Sequence, residues 1–329
     1  MTDHHPEESP EGQDVDGRVA DATDRNWVDT YCPAWSRPWL RLSRADRPAG
    51  TWLLLLPCWW GATLAILTRG GNWTAHDLWV LVACGLGAFL MRGAGCTWND
   101  IADRDFDAGV ARTMSRPLPS GQVSVTGAYI WMAVQAGAAF LILLSFNSFA
   151  IWLGILSLVP VAIYPFAKRF TWWPQVFLGI AFNWGALWGW AAVMGGLSWA
   201  PFLLYLSGIA WTLFYDTIYA HQDREDDALI GIKSTARLFG AATGRWLFAF
   251  EVLSVSLMTF AVAFALRDAS FLVLLSAISA PWAFGWHLAM QLRRLDIDDP
   301  ELCLRLFRSN RDTGLIPAGV FALTTLLIA

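Results

Sequence analysis

The sequence predicts an all-α polytopic membrane protein, with about nine transmembrane helices around a central cavity. Three observations predict it. Of 329 residues, 56% are hydrophobic and only 15% are charged, too apolar for an ordinary soluble domain. Nine segments reach or approach the roughly 20 apolar residues that a membrane helix needs. If all nine span, the basic residues fall almost entirely on one side.

The segments, in order, are 49–68, 78–98, 124–145, 148–167, 174–194, 199–219, 246–266, 270–290 and 313–329. Most connections are short. The long ones, 99–123, 220–245 and 291–312, share one side. With the N-terminus inside, that side takes the N-terminal arginines and Arg104, Arg112 and Arg116. It also takes Lys168, Arg169, Arg224, Lys233, Arg237 and Arg245, and the arginines from Arg293 to Arg311. The outer side keeps only Arg69 and Arg267, and Arg92 lies within a span. The positive-inside rule then turns the long loops toward the cytoplasm.

The net charge is −4, but residues 1–26 hold eight acids against two arginines, so the remainder carries +2. That stretch has almost no large apolar residues and reads as a disordered acidic tail. Residues 27–329 read as the membrane domain. No signal peptide is expected. The five cysteines show no CxxC spacing and are expected to be reduced and structural. His221, the one histidine near the acids, reads as a solvated loop residue. Trp59, Trp60, Trp172 and Trp173 sit where interfacial or packing tryptophans are expected.

Two acidic clusters carry the functional signal, and each directly follows a span. The first holds Asn99, Asp103 and Asp107, spaced i, i+4, i+8, and the second spaces Tyr219, Asp223 and Asp227 the same way. On a helix such residues share one face, about 6 Å apart along the axis. Carboxylates abutting a bilayer are costly and mark a functional cavity by default. Oxygen donors in this number suit a hard cation, magnesium above all, whose remaining ligands are water and phosphate oxygens. A lone DxxxD is more often a solvated helix end, but two clusters on one side argue for function. Arg112, Arg116, Lys168, Arg169, Lys233 and Arg237 lie on the same side, where they can meet diphosphate oxygens. Paired as span, acidic cluster and basic loop, the two regions form a weak pseudo-repeat across a central cavity.

The pattern Asn99-Asp100-x2-Asp103-x3-Asp107-x4-Arg112-Thr113-x2-Arg116-Pro117 resembles the first aspartate-rich motif of the UbiA superfamily of intramembrane prenyltransferases. Asp216-Thr217-Ile218-Tyr219-Ala220-x-Gln222-Asp223-x2-Asp226-Asp227, with Gly231-Ile232-Lys233-Ser234-Thr235, is similar to the second. This second form resembles the branch that prenylates 4-hydroxybenzoate in ubiquinone synthesis. So do Arg47-Pro48-x-Gly50-Thr51, Tyr164-Pro165-Phe166-x-Lys168-Arg169, Trp173-Pro174-Gln175 and Asn183-Trp184-Gly185. The resemblance covers roughly residues 40–329.

The resemblance implies nine spans around a cavity and Mg2+ held by Asn99, Asp103, Asp107, Asp223 and Asp227, the four aspartates being catalytic. It implies transfer of a polyprenyl group from polyprenyl diphosphate to 4-hydroxybenzoate, ortho to the hydroxyl. Arg47, Arg112, Arg116, Lys168, Arg169, Tyr219 and Lys233 would bind substrates, with Arg169, or less readily Arg47, on the benzoate carboxylate. The expected partners are these substrates and a lipid bilayer, with no nucleic acid. The expected location is a bacterial, or mitochondrial, inner membrane with the site facing the cytoplasmic side. Other aromatic or tetrapyrrole acceptors remain open, as does a cation-coupled transporter. The latter would place its ion sites nearer the bilayer midplane. Isoprenoid length and oligomeric state are not legible.

Overall fold

The computed structural model describes residues 26–107, 113–229 and 231–328, without the side chains of Asp105, Phe106, Glu225 and Asp226. The expected acidic tail up to Arg25, and Arg112, lie outside the described residues. Asn26, the last residue of the expected tail, caps α1 by accepting from the Asp29 N–H.

The described chain is all helical. Two short helices, α1 (Trp27–Tyr31) and α2 (Arg37–Leu42), precede the bundle. It continues through α3 (Ala49–Thr68), α4 (Ala75–Asp107), α5 (Val125–Leu143), α6 (Ser148–Leu156), α7 (Leu158–Phe170) and α8 (Pro174–Met194). Then follow α9 (Trp199–Ala220), short α10 (Arg224–Leu229) and α11 (Thr235–Phe239), and α12 (Thr243–Ala265), α13 (Phe271–Arg294) and α14 (Pro300–Thr324). Local chemistry sets the ends. Ser124, Asn147, Ser270 and Asp299 each cap a helix through the side chain, satisfying an N–H that the first turn leaves orphaned. Pro174 opens α8, and Gly195 closes it in the left-handed conformation (φ 75°).

Each of the nine expected segments is helical over most of its described residues. Seven helical stretches among the described residues are long and apolar enough to cross a membrane, with α6 and α7 counting as one and α11 and α12 as another. The α9 and α14 helices are as long but more polar. That polarity fits their places, because α9 is largely buried at the bundle centre and the first half of α14 carries Arg305, Arg308 and Arg311. The ninth segment therefore begins not at 313 but at Pro300. The 148–167 span breaks at Ser157, whose hydroxyl donates to Gly154 O (2.6 Å).

At the bundle centre α3 packs on α8 and α14, and α9 on α8 and α12. Small residues make this approach possible. A Cβ on Gly61 or Gly189 would collide with the backbone of the facing helix. Trp60, expected in an interfacial or a packing place, packs: it is fully buried and donates to Gly314 O (2.6 Å). His221 is also buried, not solvated, and its ring lies 3.1 Å from the Thr243 hydroxyl. All five cysteines are free thiols.

Candidate active site

The two acidic edges meet at one end of the bundle. At 33 residues, α4 is about 50 Å long, well beyond the roughly 30 Å hydrocarbon core. Its last turns project past the apolar stretch and present Asn99, Asp103 and Asp107 at one-turn intervals. The second edge is built differently. The α9 helix stops at Ala220, tightens to a 3-10 turn over His221–Asp223, and restarts as α10. The expected continuous helical stripe of Tyr219, Asp223 and Asp227 is therefore not a stripe on one α-helix. A helix end leaves orphan carbonyls, and i→i+3 bonds are the usual way to satisfy them.

Both edges nonetheless line one polar cavity of about 260 Å3. Asn99, Asp103, Asp107, Tyr219, Asp223 and Asp227 contribute to it, together with Arg116, Lys168 and Lys233. Tertiary contacts hold the second edge. The Lys233 N–H donates to Lys168 O (3.2 Å), and Thr235 N–H to Gln175 Oε1 (3.2 Å). Arg237 donates to the backbone carbonyls of Asp227 and Ile232. Thr217 and Thr235 share a 2.7 Å hydroxyl bond.

Basic groups neutralise the first edge. Lys168 Nζ lies 2.5 Å from Asp103 Oδ2, and Arg169 Nη2 lies 3.3 Å from Asp103 Oδ1. Arg116 Nη1 lies 2.7 Å from Asp107 Oδ2 and 3.7 Å from Asp100 Oδ1. Asp100 also pairs with Arg44, which holds a left-handed backbone (φ 58°) at the corner after α2. A non-glycine residue in that region is uncommon and costs energy, so surrounding contacts must hold it. Burial pushes the Asp107 carboxyl above the usual range. Arg116 opposes the shift, and the Asp100 and Asp103 charges add to it.

A second, larger cavity of about 440 Å3 adjoins the polar one. Asn99, Arg116, Tyr164, Asp216 and Tyr219 line both. Its walls are mostly apolar, from Leu53, Leu54, Phe140, Leu143, Phe146 and Trp188, and Arg47 reaches its polar end.

The donor set fits magnesium in a specific way. Among the described residues no three acidic, histidine or cysteine side chains converge closely enough to hold an ion by themselves. Five carboxylates (Asp103, Asp107, Asp216, Asp223 and Asp227) and two amides (Asn99 and Gln175) instead face a shared space. That suits ions taking one or two carboxylates each and completing an octahedron with water and phosphate oxygens.

Of the expected residues, then, Arg116, Lys168, Tyr219 and Lys233 join the five oxygen donors on the polar cavity. Arg47 lines the apolar one instead. Arg169 lines neither. It donates to Ala102 O (2.7 Å), and its guanidinium lies over the Phe166 ring. Among the further residues that line the cavities and were not anticipated as site residues are Arg92, Tyr164, Gln175 and Asp216. Gln175 Oε1 accepts from the Thr235 N–H. A spacing signal was available for three of them. Arg92 precedes Asn99 by seven residues, two helical turns down the same face, Asp216 precedes Tyr219 by three, and Tyr164 precedes Lys168 by one turn.

Comparison with known proteins gives the family and the fold. The model of the UbiA prenyltransferase family matches residues 54–311. The 4-hydroxybenzoate polyprenyltransferase, mitochondrial, of Aedes aegypti is 47% identical over 280 residues, 85% of this chain and 61% of that protein. The protein of the same name from Bos taurus is 46% identical over 290 residues, 88% of this chain and 76% of that protein. Among solved structures, the apo UbiA homologue from Aeropyrum pernix K1 superposes with a TM-score of 0.66 at 22% identity, covering 82% of this chain and 97% of that one. A UbiA homologue from Archaeoglobus fulgidus bound to GPP and Mg2+ gives 0.64 at 19% identity, covering 88% and 99%. These structures share the fold, and the family match and the bovine relative decide the membership. The chain belongs to the UbiA prenyltransferase family.

Proposed function

We propose that this integral membrane protein is the 4-hydroxybenzoate polyprenyltransferase of a ubiquinone-making membrane. It transfers a polyprenyl group from polyprenyl diphosphate to the ring carbon ortho to the hydroxyl. The observation that carries the reading is the junction of the two cavities. A polar space edged by carboxylates and cations opens, through five shared residues, onto an apolar one. An allylic diphosphate has that same division between a charged head and an apolar tail. The acceptor assignment rests on the names of relatives that are 46–47% identical.

The chain's own residues divide the work. Lys168, Lys233 and Arg116 bind the diphosphate oxygens, and Arg112 is a further candidate. Asn99, Asp103, Asp107, Asp223 and Asp227 hold magnesium, which when bound offsets the charge that builds on the leaving diphosphate. The basic side chains share that load electrostatically. The donor C–O bond breaks, and the apolar walls exclude water from the allylic cation. The ring carbon of the acceptor then forms the new C–C bond, and the ring proton leaves. The benzoate carboxylate we assign to Arg47, not Arg169. Arg47, whose Nε lies 3.3 Å from Asp46 Oδ1, lines the cavity that must receive the ring, whereas Arg169 lines neither cavity. The positive-inside count supports a site opening to the cytoplasmic side of a bacterial inner membrane, or its mitochondrial counterpart.

An acceptor panel tests this reading. Purified protein in detergent, with Mg2+ and one polyprenyl diphosphate, should yield 3-polyprenyl-4-hydroxybenzoate. It should leave naphthoate and tetrapyrrole acceptors unmodified. Efficient prenylation of another acceptor, with 4-hydroxybenzoate inert, would reject the assignment.

A further inference from the structure

The metal-facing carboxylates of the first edge already have cations. Asp103 is 1% exposed, and Lys168 Nζ sits 2.5 Å from it. Asp107 is buried with Arg116 2.7 Å away. Both pairs line the polar cavity where a diphosphate and its metal would lie. A divalent ion entering alone must displace an ammonium or guanidinium and then face it at short range, where like charges repel strongly. A diphosphate entering alone meets, at the first edge, cations whose charge is spent on carboxylates. Entering together, the metal takes the carboxylates and the diphosphate takes the displaced cations, so no charge is stranded.

We propose that Lys168 and Arg116 are exchangeable counter-cations, which make metal and diphosphate bind as a unit at this site. The inference rests on the prenyltransferase reading and adds its binding order. Lys168 suits the exchange, because an ammonium on a flexible stem can swing between two oxygen partners. Its neighbour Arg169 stays in place on Asp103 and the Ala102 carbonyl. Arg116 can move because Asp100, its weaker partner, keeps Arg44. The exchange also reaches the second edge, since Lys168 O accepts the Lys233 N–H. By linkage, whatever diphosphate does for metal affinity, metal does equally for diphosphate affinity. The apo site would thus stay closed to free cytoplasmic magnesium, and product diphosphate would leave with its metal.

Manganese binding, followed by electron paramagnetic resonance against free Mn2+, reads this without turnover. In the wild type, inorganic pyrophosphate should tighten Mn2+ binding within the usual range of coupling, about 5- to 150-fold. Lys168→Met should bind Mn2+ alone more tightly than wild type by about the same factor and lose most of the coupling. Lys168→Arg should keep the coupling, and Arg116→Met is the parallel variant should Lys168→Met fold poorly. Equal Mn2+ affinity in wild type and both methionine variants would overturn the exchange. So would a wild type indifferent to pyrophosphate. Wild-type protein that binds no Mn2+ under either condition would overturn the metal reading of the site along with it.

Discussion

The two acidic edges carry similar residues at the same spacing, yet the chain builds them by different means. The first is the end of one long helix, α4, so helical geometry alone sets the intervals between Asn99, Asp103 and Asp107. The second crosses a break, and Asp223 and Asp227 are placed by contacts from Lys168, Gln175, Arg237 and Thr243. The first edge is therefore locally determined. The second depends on tertiary packing and can be loosened from a distance. Pseudo-repeats in sequence do not guarantee repeated local structure.

The largest effects should come from the edges themselves. Asp103→Ala and Asp223→Ala should each lower turnover by at least about 1,000-fold, the scale of removing a preorganised electrostatic group. The structural costs should differ. Asp103→Ala strips a buried anion from Lys168 and Arg169 and should lower thermal stability. Asp223→Ala, half-buried at a helix break, should cost less. Near-normal turnover in either variant would remove that carboxylate from the metal site.

Arg47 and Arg169 separate acceptor binding from support of the first edge. Arg47→Ala should raise the KM for 4-hydroxybenzoate by about 10- to 100-fold, as expected for losing charge-assisted bonds of about 1.5–3 kcal/mol. It should largely spare the donor KM. Arg169→Ala should leave the acceptor KM nearly unchanged and weaken the donor. Steady-state kinetics with each substrate varied would expose the reverse pattern, which would return the carboxylate to Arg169.

The second edge should also carry a pH signature of its own. Burial, and then the Arg224 charge, lower the His221 pKa from 6.5 to about 4. Below pH 6.5 the unfolded chain takes up a proton at this residue while the folded chain does not. Stability is therefore lost as pH falls from about 6.5 toward 4, by up to about 3 kcal/mol. His221→Asn should flatten that loss in thermal melts between pH 7 and 4.5. An unchanged slope would mean that His221 does not report on the break.

What was legible in the sequence divides along the same line. The nine helical segments follow from apolar length, and the first edge from the 3.6-residue period running unbroken to Asp107. The break after Ala220 has no proline or glycine to announce it, and depends on Thr243 and Gln175, distant in sequence. His221 looks like a loop histidine until the fold buries it. Arg92 lies within an apolar run, away from either cluster, and Asp216 opens the second motif one turn before Tyr219, where only the fold turns it onto both cavities. Arg169 stands apart from both clusters in sequence, but the fold sets it against Asp103.

The smallest effect should come from the N-terminus. Deleting residues 1–25 should leave turnover and melting temperature unchanged within error, because the stretch is acidic and poor in core-forming residues. Deleting Asn26 as well should cost about 1 kcal/mol, the usual value of a helix cap. A large loss from the shorter deletion would give the tail a role in the site.

The central claim is that two edges, built differently, act as one site. A double-mutant cycle tests it most directly. Single-turnover rates should be measured for Asp107→Asn, Asp227→Asn and the double variant at saturating Mg2+, donor and 4-hydroxybenzoate. Residues acting as a unit give grossly non-additive losses. The double variant should therefore fall little further than the worse single variant, within about tenfold. Losses that multiply would mean that the two edges act independently, and would contradict a single site.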